Sequence, residues 1–93
     1  MSSYQHLINF IDELMNLMEH HKRIYKKLIT YRHQIRNVIP ASMIEESINL
    51  VRHQLQQRDF SFLSLDVQHD VQTILSTCNP TNQTIIWKWI DLF

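Results

Sequence analysis

Glycine is missing from this chain of 93 residues, alanine occurs once, at Ala41, and cysteine once, at Cys78. Without glycine there can be no phosphate-cradling loop of the GxGxxG or GxxxxGK(S/T) kind, where the backbone itself must approach the phosphate. Positive φ also becomes costly, which works against tight hairpins and therefore against sheets. A lone cysteine cannot close an internal disulfide, and no signal peptide opens the chain. Together these predict a reducing compartment: the cytoplasm, or a host-cell interior if the protein is viral or secreted by a leaderless route. No apolar run approaches the roughly 20 residues that a membrane span requires. An excess of either charge is missing too, since nine Lys and Arg balance nine Asp and Glu. Net charge therefore implies no polyanionic partner.

What is present is helical period. Tyr4, Ile11, Met18, Tyr25, Arg32 and Ile39 recur every seven residues, and Leu7, Leu14, His21, Leu28 and Ile35 follow three positions after each. Ile8, Met15 and Ile29 widen the stripe. This predicts one amphipathic helix over residues 3–38, capped by Ser2 or Ser3, with Glu19–Arg23 as the place for any bend. Pro40 stops it by removing an amide and clashing with the preceding turn. Ser42 with Glu45 is a capping-box pattern, and it predicts a second helix over 43–58 carrying Ile44, Ile48, Val51 and Leu55. That helix is expected to fold back antiparallel on Tyr25–Val38.

Asp59–Leu65 is read as an extended loop pushing Phe60 and Phe62 inward. Ser64 or Asp66 then caps a third helix, 65–78, carrying Leu65, Val67, Val71, Ile74, Leu75 and Cys78. Asn79 followed by Pro80 is an N-cap with proline at the first helical position, opening a last helix over 80–92. The expected fold is all-α: one domain, residues 1–93, forming a small three- or four-helix bundle with a long first helix and a helical-hairpin return. The short second helix hides only half of the long one. The Tyr4–Met18 half must pack on the later helices, on a second copy or on a partner protein.

Charge is distributed unevenly within the neutral total. Residues 1–19 hold three acids and no base, residues 20–39 six bases and no acid, and residues 40–93 six acids against three bases. Lys22, Arg23, Lys26 and Lys27 fall largely on the outward face. They suit an acidic protein surface, or phosphates, although the C-terminal half of a long helix also favours cations for its own electrostatic reasons. Six histidines raise the question of zinc. No two of them stand at i, i+3 or i+4, the spacing a helical metal site needs; Asp66 and His69 do, with Asp70 beside them, but a lone pair is common by chance. No metal and no cofactor is expected. His21 on the apolar stripe is read first as a polar residue at a helix bend, with a pH-sensitive element as the alternative.

No Cys/His, Ser/His or paired-carboxylate frame is recognisable, so no catalytic residue is assigned. In the last segment Ile86, Trp89, Ile90 and Phe93 make one helix face while Ile85, Trp87 and Leu92 lie elsewhere, so one contact cannot bury them all. Trp is frequent at interface hot spots. The expected function is a non-enzymatic protein-binding module: an adaptor, chaperone or inhibitor, or another small accessory regulator. Trp87, Trp89 and Phe93 would be its apolar anchors, and Lys22, Arg23, Lys26 and Lys27 its electrostatic edge. The alternatives are a nucleic-acid-binding regulator using residues 20–39, and a homodimeric structural module with the long helix as a coiled-coil seam.

Overall fold

The structure is a computed structural model, and it describes residues 2–93. Met1, included in the expected domain, lies outside the described residues. Five α-helices and no strand are present among the described residues: α1 Ser3–Leu17, α2 Lys22–Asn37, α3 Ala41–Gln56, α4 Leu65–Thr77 and α5 Pro80–Asp91. The all-α expectation stands, but the count is five rather than three or four. The chain divides between Leu50 and Val51, within α3, into two compact units.

The difference in count arises at one place. The expected long helix is two helices, α1 and α2, separated by a turn over Met18–His21. Met18 ends α1 by donating its amide to the Leu14 carbonyl, and the His21 amide closes the turn on the Met18 carbonyl at 2.9 Å. His21 then starts α2 as its N-cap, with Nδ1 accepting the Ile24 amide at 3.3 Å. A continuous helix would leave its apolar stripe to be covered from elsewhere. Breaking at the polar interval lets the stripe cover itself. Ile8, Ile11, Leu14 and Met18 from the first half and Ile24 and Leu28 from the second are all buried. The helical-hairpin return is thus made by α2 on α1. Each aliphatic side chain withdrawn from water in this way contributes about 1.5–3 kcal/mol, more than the few backbone bonds lost at the break.

Two polar ties hold the hairpin in register. The Tyr4 hydroxyl donates to the Ile35 carbonyl at 3.4 Å. The Arg32 guanidinium grips Asp12 with Nε on Oδ1 at 2.5 Å and a second nitrogen on Oδ2 at 3.3 Å. This pair accounts for Arg32 on the apolar stripe, and the Asp12 hydrogen bond raises the guanidinium pKa further. Both side chains are partly exposed, so the pair adds only about 0–1 kcal/mol.

The corner after α2 also differs from expectation. Helix α3 begins at Ala41, and the Pro40 carbonyl accepts the Met43 and Ile44 amides. Ser42 lies inside the first turn, so the Ser42/Glu45 capping box does not form. Glu45 Oε1 instead accepts the Tyr4 amide at 2.7 Å, at the start of α1. No acidic residue occupies the first turn of α1, so the negative charge favoured there arrives from α3.

In the second unit, α3 ends on Arg58 at φ 56°, in the left-handed region. The Asp59 amide bonds the Gln54 carbonyl at 2.9 Å and the Arg58 amide the Leu55 carbonyl at 3.0 Å, the pair of bonds of a Schellman end. Glycine normally takes this place, and here arginine does. The 59–64 loop is pinned by Asp59 Oδ1, which accepts the Ser61 amide at 3.0 Å. The Ser61 hydrogen bonds, its side chain's first, draw the Asp59 carboxyl below its ordinary pKa. Ser64 caps α4 and Asn79 caps α5, with Pro80 where it was expected, but Leu65, expected among the apolar residues of its helix, is the first residue of α4 and stands 82% exposed. Gln83 joins those two helices by donating Nε2 to the Leu75 and Cys78 carbonyls at 2.7 and 3.2 Å. Ile74, Cys78, Ile86 and Ile90 are the buried apolar residues of this unit, with Asp70 buried among the polar ones. No buried side-chain nitrogen or oxygen among the described residues lacks a hydrogen-bond partner.

Candidate functional site

Helix α2 has two sharply different sides. Ile24 and Leu28 are buried, and Tyr25, Tyr31, Arg32 and Ile35 are half-buried beside them. At 100° per residue Lys22, Lys26, Ile29, His33 and Arg36 fall within one arc of about 80°, beside the buried side with Ile29 and Arg36 nearest to it, and all five are exposed. Their spacing of four, three, four and three residues draws a straight line over about 21 Å of helix. Arg23 and the half-buried Lys27 flank it, each engaged in a contact of its own. The sequence-predicted cations are therefore brought to one helix, with Lys22 and Lys26 facing outward.

The break between α1 and α2 alters their electrostatics. Lys22 and Arg23 occupy the first turn of a helix, not the C-terminal half of a longer one, and α2 has no acidic residue in that turn. The helix dipole therefore works against these cations rather than for them, by about 0.3–1 kcal/mol each. Only Arg36 lies in the favourable last turn. Three of the five acids of this unit are engaged elsewhere: Asp12 with Arg32, Glu45 with the Tyr4 amide, and Glu19 within 3.3 Å of His20. Lys22, Lys26 and Arg36 carry no ion pair among the described residues.

Beyond α2 the chain exposes an apolar corner that sequence reasoning missed. Residues 38–43, Val-Ile-Pro-Ala-Ser-Met, are all exposed, with Val38 at 66% and Met43 at 56%. The available signal was composition: a connection between helices is ordinarily polar, and this one, Val38, Ile39 and Pro40, holds no polar side chain.

The tryptophan segment is arranged differently. Ile86 and Ile90 are buried, while Trp87, Trp89 and Phe93 are half-buried. Trp87 stacks on Phe60 with ring centroids 6.3 Å apart, and the Arg58 guanidinium carbon lies 4.5 Å from the indole centroid. Arg52 Nε donates to the Phe93 carbonyl, and Trp89 also has a partner. Leu92 is the exposed apolar residue of this segment, at 74%. Trp87, Trp89 and Phe93 thus already make contacts within the chain.

Cys78 is buried, and that burial raises its thiol pKa above the ordinary value, the reverse of what activates a nucleophile. Asp66 and His69 are both exposed on α4. Among the described residues no three His, Cys, Asp or Glu side chains come together as a metal-binding group, and no helix is long and apolar enough to cross a membrane. Comparison with known proteins finds no family model, no curated protein and no solved structure that matches the chain.

Proposed function

We propose that the chain is a non-enzymatic protein-binding module, acting as an adaptor, chaperone or inhibitor of a partner protein. The observation that carries this reading is the exposed corner of residues 38–43. Single exposed apolar residues are ordinary on protein surfaces, but a contiguous set is a feature of interaction sites. Val38, Ile39 and Met43 supply apolar contact in this reading. Lys22, Arg23, Lys26 and Lys27 on the adjoining helix supply an electrostatic edge that speeds encounter with an acidic surface. Trp87, Trp89 and Phe93, half-buried and engaged within the chain, take a supporting role rather than that of anchors.

The test is site-specific photocrosslinking in the cell that makes the protein. A benzophenone side chain at Met43 is expected to give a discrete protein adduct that the same probe at exposed Gln72 does not. Sedimentation equilibrium of the purified chain separates a second copy from a different partner. Identical adduct patterns from both positions would remove the reading.

A further inference from the structure

The outward line of α2 is more specific than a basic patch. Lys22, Lys26, Ile29, His33 and Arg36 alternate steps of four and three, the seam period by which one helix meets another. An isoleucine, 44% exposed, stands at the centre of four basic side chains. The buried face of α2 is occupied by α1, and this line, running along the edge of that face, is exposed at every position. We infer that it is the docking seam for an acidic amphipathic helix of a partner protein. That helix would present carboxylates to Lys22, Lys26 and Arg36 and an apolar side chain to Ile29. The inference rests on the protein-binding reading above and names the partner's chemistry.

Charge complementarity selects this occupant. The helix holds six basic residues and no acid, and its three seam cations have no ion pair among the described residues. A second copy presenting the same face would set cation against cation, which disfavours symmetric α2–α2 pairing. A nucleic-acid backbone would satisfy the cations but leave Ile29 among phosphates, with no apolar group to cover it. A helix with Glu at the charged positions and Leu at the middle one satisfies both. His33 Nδ1 lies 3.1 Å from Asn37 Nδ2 on the next turn and accepts from it, which leaves the Nε2 N–H as a donor.

The probe is a fluorescein-labelled helical peptide of about 21 residues, carrying Glu at the positions that face Lys22, Lys26, His33 and Arg36 and Leu at the central one. Its binding to the full chain is followed by anisotropy at about 50 mM and about 300 mM salt. Lys26→Glu is expected to weaken binding by about tenfold or more at low salt. Ile29→Ser is expected to weaken it by about fivefold at either salt, since an apolar contact is not screened by ions. These side chains are exposed, so circular dichroism of the variants should match that of the parent. No binding, or binding indifferent to both substitutions, overturns the seam. A 20-base-pair duplex that binds more tightly than the peptide, with Ile29→Ser without effect, overturns it in favour of nucleic acid. Peptide binding lost only in Val38→Ser/Met43→Ser also overturns the seam while leaving the protein-binding reading standing on the corner.

Discussion

Glu45, on α3, accepts the Tyr4 backbone amide at 2.7 Å and so completes the first turn of α1 from 41 residues away. Ser2 takes the Gln5 amide in the same turn at 3.1 Å, so one bond is local and the other tertiary. The two together satisfy amides that a helix start leaves without internal partners. Glu45→Ala is expected to destabilise the fold by about 1–2 kcal/mol, in the range of a lost helix cap or charge-assisted bond. Glu45→Gln, which keeps an acceptor and loses the charge, should recover part of that. Urea unfolding of the two variants at low and high salt separates the hydrogen bond from the charge. Equal loss in both would show that the charge alone matters.

Arg58 sits in the left-handed region and lies against Trp87. The backbone conformation costs a non-glycine residue about 1–2 kcal/mol, and a cation over an indole returns about 0.5–1 kcal/mol at an exposed site. Arg58→Ala keeps the cost and loses the return, so it should lower stability by about 0.5–1 kcal/mol. Arg58→Gly removes both and should fall within about 1 kcal/mol of the parent, on the stable side. Thermal unfolding ranks the three, and tryptophan emission reports the uncovered ring in both variants.

His21 starts α2 by accepting the Ile24 amide. Asparagine and aspartate are stronger N-caps, and aspartate also places a negative charge at the positive end of a helix whose first turn holds Lys22 and Arg23. His21→Asp should therefore stabilise the hairpin by about 0.5–1 kcal/mol, and His21→Ala should cost about 1 kcal/mol. Amide exchange at Ile24 and Tyr25 is the local readout. Protection in the alanine variant equal to that in the parent would show that the cap contributes nothing.

Burial raises the Cys78 thiol pKa. An acid whose folded pKa lies above its unfolded one is ionised first in the unfolded chain. Folding stability from this site is therefore present below the free thiol pKa, about 8.5, and declines as pH rises through it. Unfolding curves at pH 7 and pH 9.5 should show an alkaline loss in the parent that is smaller in Cys78→Ala, once each protein is referred to its own value at pH 7. Thiol labelling should be slow in the native protein and fast in denaturant. Fast native labelling would contradict the burial.

Trp87, stacked on Phe60 and covered by Arg58, should act first on folding. Trp87→Ala is expected to lower the stability of the second unit by about 3 kcal/mol, toward the low end for a buried aromatic because the ring is only half-buried. Leu92→Ser, at an exposed position of the same helix, should leave stability within about 0.5 kcal/mol of the parent. Circular dichroism against urea for the two variants decides between a packing role and a surface role for this ring.

The local chemistry of the chain was legible from its residues. Apolar period marked every helical stretch, Pro40 and Pro80 marked a stop and a start, and Ser2, Ser64 and Asn79 were readable as caps because their oxygens act three residues along. The clustering of Lys22, Arg23, Lys26 and Lys27 was equally plain, since it is a property of sequence distance. Tertiary structure alone decided the rest. A seven-residue period records which side chains must leave water but not what covers them, and so it could not show that the stripe over 3–38 folds on itself at Met18–His21. Glu45 was read as part of a box with Ser42 because local spacing cannot reveal a competing amide brought in by another helix. The exposed corner at 38–43 escaped for the same reason, since exposure is set by what arrives from far along the chain, while Arg58 at positive φ escaped because no glycine marks that helix end.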